Sequence, residues 1–116
     1  MSDFWTVPKP TTHMRQLCRE LGPEYTILEL DLERVIYRDF GNGYNVEISR
    51  MNTSSRRKRA TLYLWFGERI KVKSVQDVPQ DEIGARVEEL RAFTDKLVET
   101  GFDPQDLFHG KPLPSF

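Results

Sequence analysis

The stretch from Tyr37 to Lys73 constrains the chain most, because it reads as three successive antiparallel strands. Its centre, Ala60-Thr61-Leu62-Tyr63-Leu64-Trp65-Phe66, is apolar on both parities, and two glycine turns frame it, Phe40-Gly41-Asn42-Gly43-Tyr44 before and Phe66-Gly67-Glu68-Arg69-Ile70 after. Strand side chains alternate, so a slip of one residue moves a whole hydrophobic set to the other face, and the register can be sought from pattern alone. Reading Gly41–Gly43 as a three-residue hairpin loop sets Phe40 against Tyr44, Arg38 against Val46 and Ile36 against Ile48. The same treatment of Gly67–Arg69 sets Phe66 against Ile70 and Leu64 against Val72. A wider loop around Asn52–Arg57 then aligns Tyr44 with Phe66, Val46 with Leu64 and Ile48 with Leu62. One face collects Ile36, Phe40, Tyr44, Val46, Ile48, Leu62, Leu64, Phe66, Ile70 and Val72, with Arg38 as its misfit. The rival two-residue turn at Gly67-Glu68 puts Lys71 and Lys73 opposite the leucines and is rejected for that reason.

The flanks supply helices. Thr11 or Thr12 offers an N-cap, Met14, Leu17, Cys18 and Leu21 recur at helical spacing, and Gly22-Pro23 is a stop. Leu28, Leu30 and Leu32 then alternate with Glu29, Asp31 and Glu33, and the same parity continues through Ile36 to Phe40. Tyr25–Phe40 is therefore one long curved strand or two strands joined by a bulge near Glu33-Arg34; the usual strand length favours a bend. After Val78, Pro79 with Asp81 and Glu82 opens a second helix. Ile83, Val87, Leu90, Thr94, Leu97 and Val98 form its stripe, and Gly101 is its left-handed C-cap, with Phe102 making the accompanying apolar contact. The expectation is one α+β domain over residues 11–102, an antiparallel meander of about four strands with both helices on the apolar face. Residues 1–10 read as an arm whose Phe4 and Trp5 latch onto the domain or dock a partner. Residues 103–116 read as an irregular tail, with Phe108 and Phe116 exposed and the last five residues dispensable for stability.

A chain of 116 residues can bury a core without metal or disulfide staples. Its single cysteine cannot form an internal disulfide, which points to a reducing, cytoplasmic setting. The first residues lack the basic-then-apolar pattern of a secretion signal, and no apolar run approaches membrane-spanning length, so no membrane partner is expected. The formal net charge of -1 exerts no global pull on nucleic acid. Its distribution is uneven: seven Lys/Arg and one Glu lie between Ser54 and Lys73, against nine acids and three bases between Gln76 and Asp106.

Function must then be sought on surfaces. The face away from the helices should hold Tyr37, Glu47, Tyr63, Trp65, Lys71 and Lys73, with Lys71 opposite Trp65 and Lys73 opposite Tyr63 as cation–π pairs. Arg56-Arg57-Lys58-Arg59 at a hairpin tip offers phosphate contacts, or simply protects a strand edge. Together these give a platform for a protein or, alternatively, a nucleic acid. Cys18 sits on a buried stripe, as an inert thiol does. His13 and His109 lack metal-ligand neighbours, and the row Glu29, Asp31 and Glu33 reads as a solvated face before it reads as a divalent-cation site. Neither a nucleophile–base arrangement nor a paired-carboxylate site is present, so catalysis and cofactors are not expected.

The runs Phe40-Gly-Asn-Gly-Tyr44-Asn-Val-Glu-Ile-Ser49, Ala60-Thr-Leu-Tyr-Leu-Trp65 and Ile83-Gly-Ala-Arg-Val-Glu-Glu-Leu90 resemble small proteins carried by bacterial phages and mobile elements. The resemblance implies a compact, non-enzymatic accessory or inhibitor protein that binds a host or defence protein, as anti-CRISPR inhibitors do. It transfers no active residue.

Overall fold

Five antiparallel strands, each hydrogen-bonded to the next in sequence, make the sheet of this α+β protein. The computed structural model describes residues 12–30, 33–52 and 58–116; the arm at 1–10, the cap at Thr11, Asp31, Leu32 and most of the loop containing Arg56 and Arg57 lie outside the described residues. The elements are α1 (Thr12–Leu21), β1 (Thr26–Leu30), β2 (Glu33–Asp39), β3 (Tyr44–Asn52), β4 (Arg59–Phe66), β5 (Ile70–Pro79) and α2 (Ile83–Thr100), with 3-10 turns at Gln80–Glu82 and Pro104–His109.

The centre of the sheet has the register that alternation predicts. Ile36 faces Ile48 and Arg38 faces Val46, while Tyr44, Val46 and Ile48 face Phe66, Leu64 and Leu62. Phe66 faces Ile70, which makes the second turn the three-residue loop. Ile36, Tyr44, Val46, Ile48, Leu62 and Leu64 are all buried, under Leu17 of α1 and Ile83, Val87, Leu90 and Leu97 of α2. Tyr44 and Phe66 meet edge to face with centroids 5.0 Å apart. That contact explains Gly43 as well as its φ of 96° does, because a Cβ there would lie 2.8 Å from the Phe66 ring. The Gly41–Gly43 turn is also pinned to α2: Asn42 Nδ2 donates to Thr94 Oγ1 and to Asp95 Oδ1, both at 2.9 Å.

Residues 25–40 depart from expectation. They are neither one curved strand nor two strands in line, but a complete hairpin in which β1 turns back on β2 between Leu30 and Glu33, giving five strands instead of about four. Ile27 pairs with Ile36 and Leu28 with Val35, so the reversal joins an even position to an odd one. Leu28 and Leu30 consequently leave the face of Ile36 for the opposite one, and Ile27 packs against the core in their stead. Glu29 and Glu33, taken from sequence as neighbours in one acidic row, end on opposite faces.

A second departure lies in β5. Trp65 pairs with Lys71 but Leu64 pairs with Lys73, so Val72 is the extra residue of a bulge. The expected Leu64–Val72 and Tyr63–Lys73 pairs do not form. Another shift lies between the Ala60–Val78 and Leu62–Val75 pairs, next to Asp77 at φ 58°.

Arg38, the misfit of the apolar face, is accommodated at its rim. Its guanidinium lies 5.3 Å from the Tyr25 ring centroid and 5.4 Å from that of Phe40, and Nη1 donates to Glu88 Oε1 of α2 at 2.7 Å. The side chain is only 12% exposed, so its charge is sandwiched between aromatic faces and closed by the carboxylate.

α2 ends as expected: Gly101 is left-handed at φ 77°, its N–H donates to Val98 O, and Phe102 N–H reaches Leu97 O at 3.1 Å. Val98, however, is 52% exposed, not part of the stripe. The inward positions Ile83, Val87, Leu90, Thr94 and Leu97 advance by alternate steps of four and three, which leaves the residue after Leu97 about 100° round the helix. The tail is less irregular than expected. Asp103 caps the 3-10 turn by accepting from Gln105 N–H at 3.0 Å, Pro104 is buried, and Leu113 packs against the core. Phe116 lies 5.6 Å from the Phe93 ring, so the last five residues contribute packing.

Two measurements check this arrangement. Leu64→Ala should cost about 2–5 kcal/mol in denaturant unfolding, as buried leucines do, while Glu29→Ala should cost little; equal melting of both variants with wild type would refute the central register. The second concerns Glu88, whose carboxyl is held below the usual range by the hydrogen bond from Arg38 and then by that from Arg91. A depressed folded pKa stabilises at neutral pH and is lost as pH falls through the folded value. Glu88 is half exposed, so Glu88→Gln should cost at most about 1 kcal/mol at pH 7. The gap to wild type should close on acidification below the ordinary glutamate range; a gap that widens there refutes the linkage.

Candidate functional site

Opposite the helices, the sheet presents rows set by the strand pairings. One runs Thr26–Tyr37–Glu47–Tyr63–Ser74 and the next Asp39–Asn45–Trp65–Lys71. Tyr37, Glu47, Tyr63, Trp65 and Lys71 therefore share this face as expected. Lys71 Nζ lies 5.1 Å from the Tyr63 ring centroid and 6.0 Å from that of Trp65, so one ammonium serves both rings. Lys73 does not belong here. The bulge at Val72 turns it to the helix side, where its Nζ lies 5.3 Å from the Phe93 ring. Ser74 takes its place opposite Tyr63.

The first hairpin supplies what pattern reading missed. Because β1 and β2 pair even to odd, Leu28 and Leu30 join Tyr37 and Trp65 around a cavity of about 770 Å³. Val35, on the same face, is 1% exposed. Asp39, Glu47 and Glu68 complete the lining together with Asn45 and the backbone at Gly41, Gly43 and Gly67. Two hydrogen bonds lock the glycine turns side by side, Asn45 Nδ2 to Gly67 O at 2.8 Å and Gly67 N to Gly43 O at 3.0 Å. Burial, with Asp39 and Glu68 adding to it, raises the Tyr37 phenol, which stays a neutral donor. The indole Nε1 of Trp65 is buried and bonds to no acceptor among the described residues. The site is thus an apolar floor with a carboxylate-rich rim, a lining that suits an apolar side chain beside a cation. The signal for the hairpin was the opposite charge of Glu29 and Arg34, which face each other across it.

Of the basic run, the described residues are Lys58 and Arg59. Arg56 and Arg57 lie outside the described residues, and Lys58 is exposed. Arg59 is engaged within the fold, Nη1 donating to Asp77 O at 3.0 Å and Nε lying 3.6 Å from Asp77 Oδ1. His13 is tied to Gln80 across the start of α2, Nε2 to Oε1 at 2.7 Å, and His109 lies exposed at the end of the last 3-10 turn. Cys18 is only partly buried, not fully as its stripe predicted; burial raises its thiol against the opposing effect of Arg19. No group of three His, Cys, Asp or Glu side chains spaced to hold a metal occurs among the described residues. No helix among them is long and apolar enough to cross a membrane.

Comparison with protein-family models, with curated proteins and with solved structures finds no match to this chain.

The orphaned indole makes a checkable claim. A buried unsatisfied donor costs about 1–3 kcal/mol, so Trp65→Phe, which keeps a ring and removes the N–H, should leave unfolding stability within about 1 kcal/mol of wild type. A loss above about 2 kcal/mol would show that the N–H is bonded in solution.

Proposed function

We propose that this protein is a non-enzymatic interaction module whose helix-free sheet face binds a protein partner. The observation that carries this reading is the cavity at Leu28, Leu30, Tyr37 and Trp65, where aromatic and leucine side chains form an apolar floor bordered by Asp39, Glu47 and Glu68. Aromatic anchors in desolvated pockets dominate protein–protein affinity. The rim favours protein over nucleic acid as the ligand. Asp39, Glu47 and Glu68 repel phosphates, and two cations that pattern reading assigned to binding, Arg59 and Lys73, are turned to intramolecular contacts. The inhibitor role implied by the resemblance to phage and mobile-element proteins is a narrower form of the same proposal, with a host or defence protein as the partner.

The test begins with a pull-down from lysate with and without nuclease, followed by binding measurements on the identified partner. Trp65→Ala, confirmed folded by its thermal melt, should weaken binding at least about tenfold, in line with interface anchors. Changing Arg56, Arg57, Lys58 and Arg59 together to Ser should slow association more than it speeds dissociation. A ligand lost on nuclease treatment, with a salt slope that shrinks by up to about 0.9 per lost duplex-phosphate contact in the Ser variant, would instead establish nucleic-acid binding. A variant loop that abolishes protein binding while Trp65→Ala binds normally would overturn the site.

A further inference from the structure

A sheet that does not close has two edges, and here they are built differently. β5 is protected: its ten residues carry the bulge at Val72, a second irregularity beside Asp77, the cations Lys71 and Lys73, and a terminal proline at Pro79. Each of these deters another strand from pairing. β1 carries none of them. Thr26–Leu30 is regular, pairs with β2 without a register shift, and contains no lysine, arginine or proline. Among the described residues it is paired on one side only.

Beside this edge lies a second cavity, of about 680 Å³, walled by Arg15, Cys18 and Arg19 of α1 and by Tyr25, Thr26 and Ile27. Arg15 and Arg19 are exposed and one helical turn apart. The arginines Arg38, Arg59, Arg86 and Arg91 each meet a carboxylate, whereas no salt bridge among the described residues engages Arg15 or Arg19. The acid of α1, Glu20, is turned to Gln16 at 3.1 Å. Glu29, the acid of β1, faces Arg34 in the register.

We propose that the outer edge of β1 receives an extended segment of a partner protein bearing acidic residues at alternate positions. Its main chain would add a sixth strand, and its alternate side chains would enter the groove between β1 and α1 and pair with Arg15 and Arg19. The spacing fits. Side chains one turn apart on a helix are about 5–6 Å apart, and those two apart on a strand are about 6.6 Å apart on one face. Main-chain hydrogen bonds then provide affinity and the arginines provide selection, the division of labour in strand-addition recognition. β1 also carries Leu28 and Leu30 into the cavity around Trp65, but Arg15 and Arg19 do not line that cavity, so changing the arginines or Trp65 separates the two sites.

Cys18 makes the groove directly readable, because it is the chain's one cysteine and lines the cavity. The probe is a capped eight-residue peptide alternating threonine and glutamate, followed by fluorescence anisotropy and by the rate of Cys18 alkylation. Binding should saturate, and alkylation should slow by about tenfold or more at saturation. The same peptide with lysine for glutamate should not bind, and N-methylation of alternate amides should abolish binding by the glutamate peptide. Arg15→Glu with Arg19→Glu changes two exposed residues; this variant should lose the glutamate peptide by more than about tenfold, equivalent to about 1.4 kcal/mol, and take the lysine peptide instead. The proposal is overturned if the glutamate peptide fails to bind or the N-methylated form binds equally. It is equally overturned if charge reversal leaves the preference unchanged, or if sedimentation shows a dimer through β1 that the peptide does not dissociate.

Discussion

The pairing of β3 with β4 sets Tyr44 edge to face with Phe66, Val46 beside Leu64 and Ile48 beside Leu62, and both helices pack on the surface those pairs create. Each fully buried side chain of this size contributes about 1.5–3 kcal/mol relative to exposure, so a slip of one residue would forfeit the burial of the entire row. The neighbouring hairpins inherit their positions from it. Asn42 binds α2 only because the first glycine turn brings it there, and Gly67 reaches Gly43 only because Tyr44 and Phe66 are opposite each other. Arg38 then closes the seam between sheet and helix through Glu88, a polar contact made tolerable by the rings of Tyr25 and Phe40 on either side.

With one face settled in this way, local irregularities determine what the other presents. The bulge at Val72 withdraws Lys73 to the ring of Phe93 and leaves Lys71 alone over Tyr63 and Trp65. The reversal between β1 and β2 brings Leu28 and Leu30 beside Trp65. Together they convert the basic aromatic platform of the pattern reading into an apolar cavity with an acidic rim. The carboxylates now around the rings are what supports the proposal of a protein ligand over a polyanion. The two proposed contact surfaces differ in kind: a pocket for side chains on the sheet face, and an edge offering main-chain hydrogen bonds flanked by arginines.

Alternation within each strand and the glycine turns were enough to place the central register, the burial of Leu62 and Leu64, and the capped end of α2 at Gly101. These follow from local rules: side chains on a strand alternate with period two, and glycine adopts a left-handed φ without penalty. The same rules could not place Leu28 and Leu30, because alternation relates residues within one strand and says nothing about parity across a reversal. Pairing Ile27 with Ile36 joins odd to even and inverts the face of every residue before it. Nor does any local signal mark Val72 as the extra residue of a bulge, or Leu113 as a core contact. Those depend on how a strand must bend to follow the twist of its neighbours and on which gaps the packed helices leave open, and both exist only in the assembled tertiary structure.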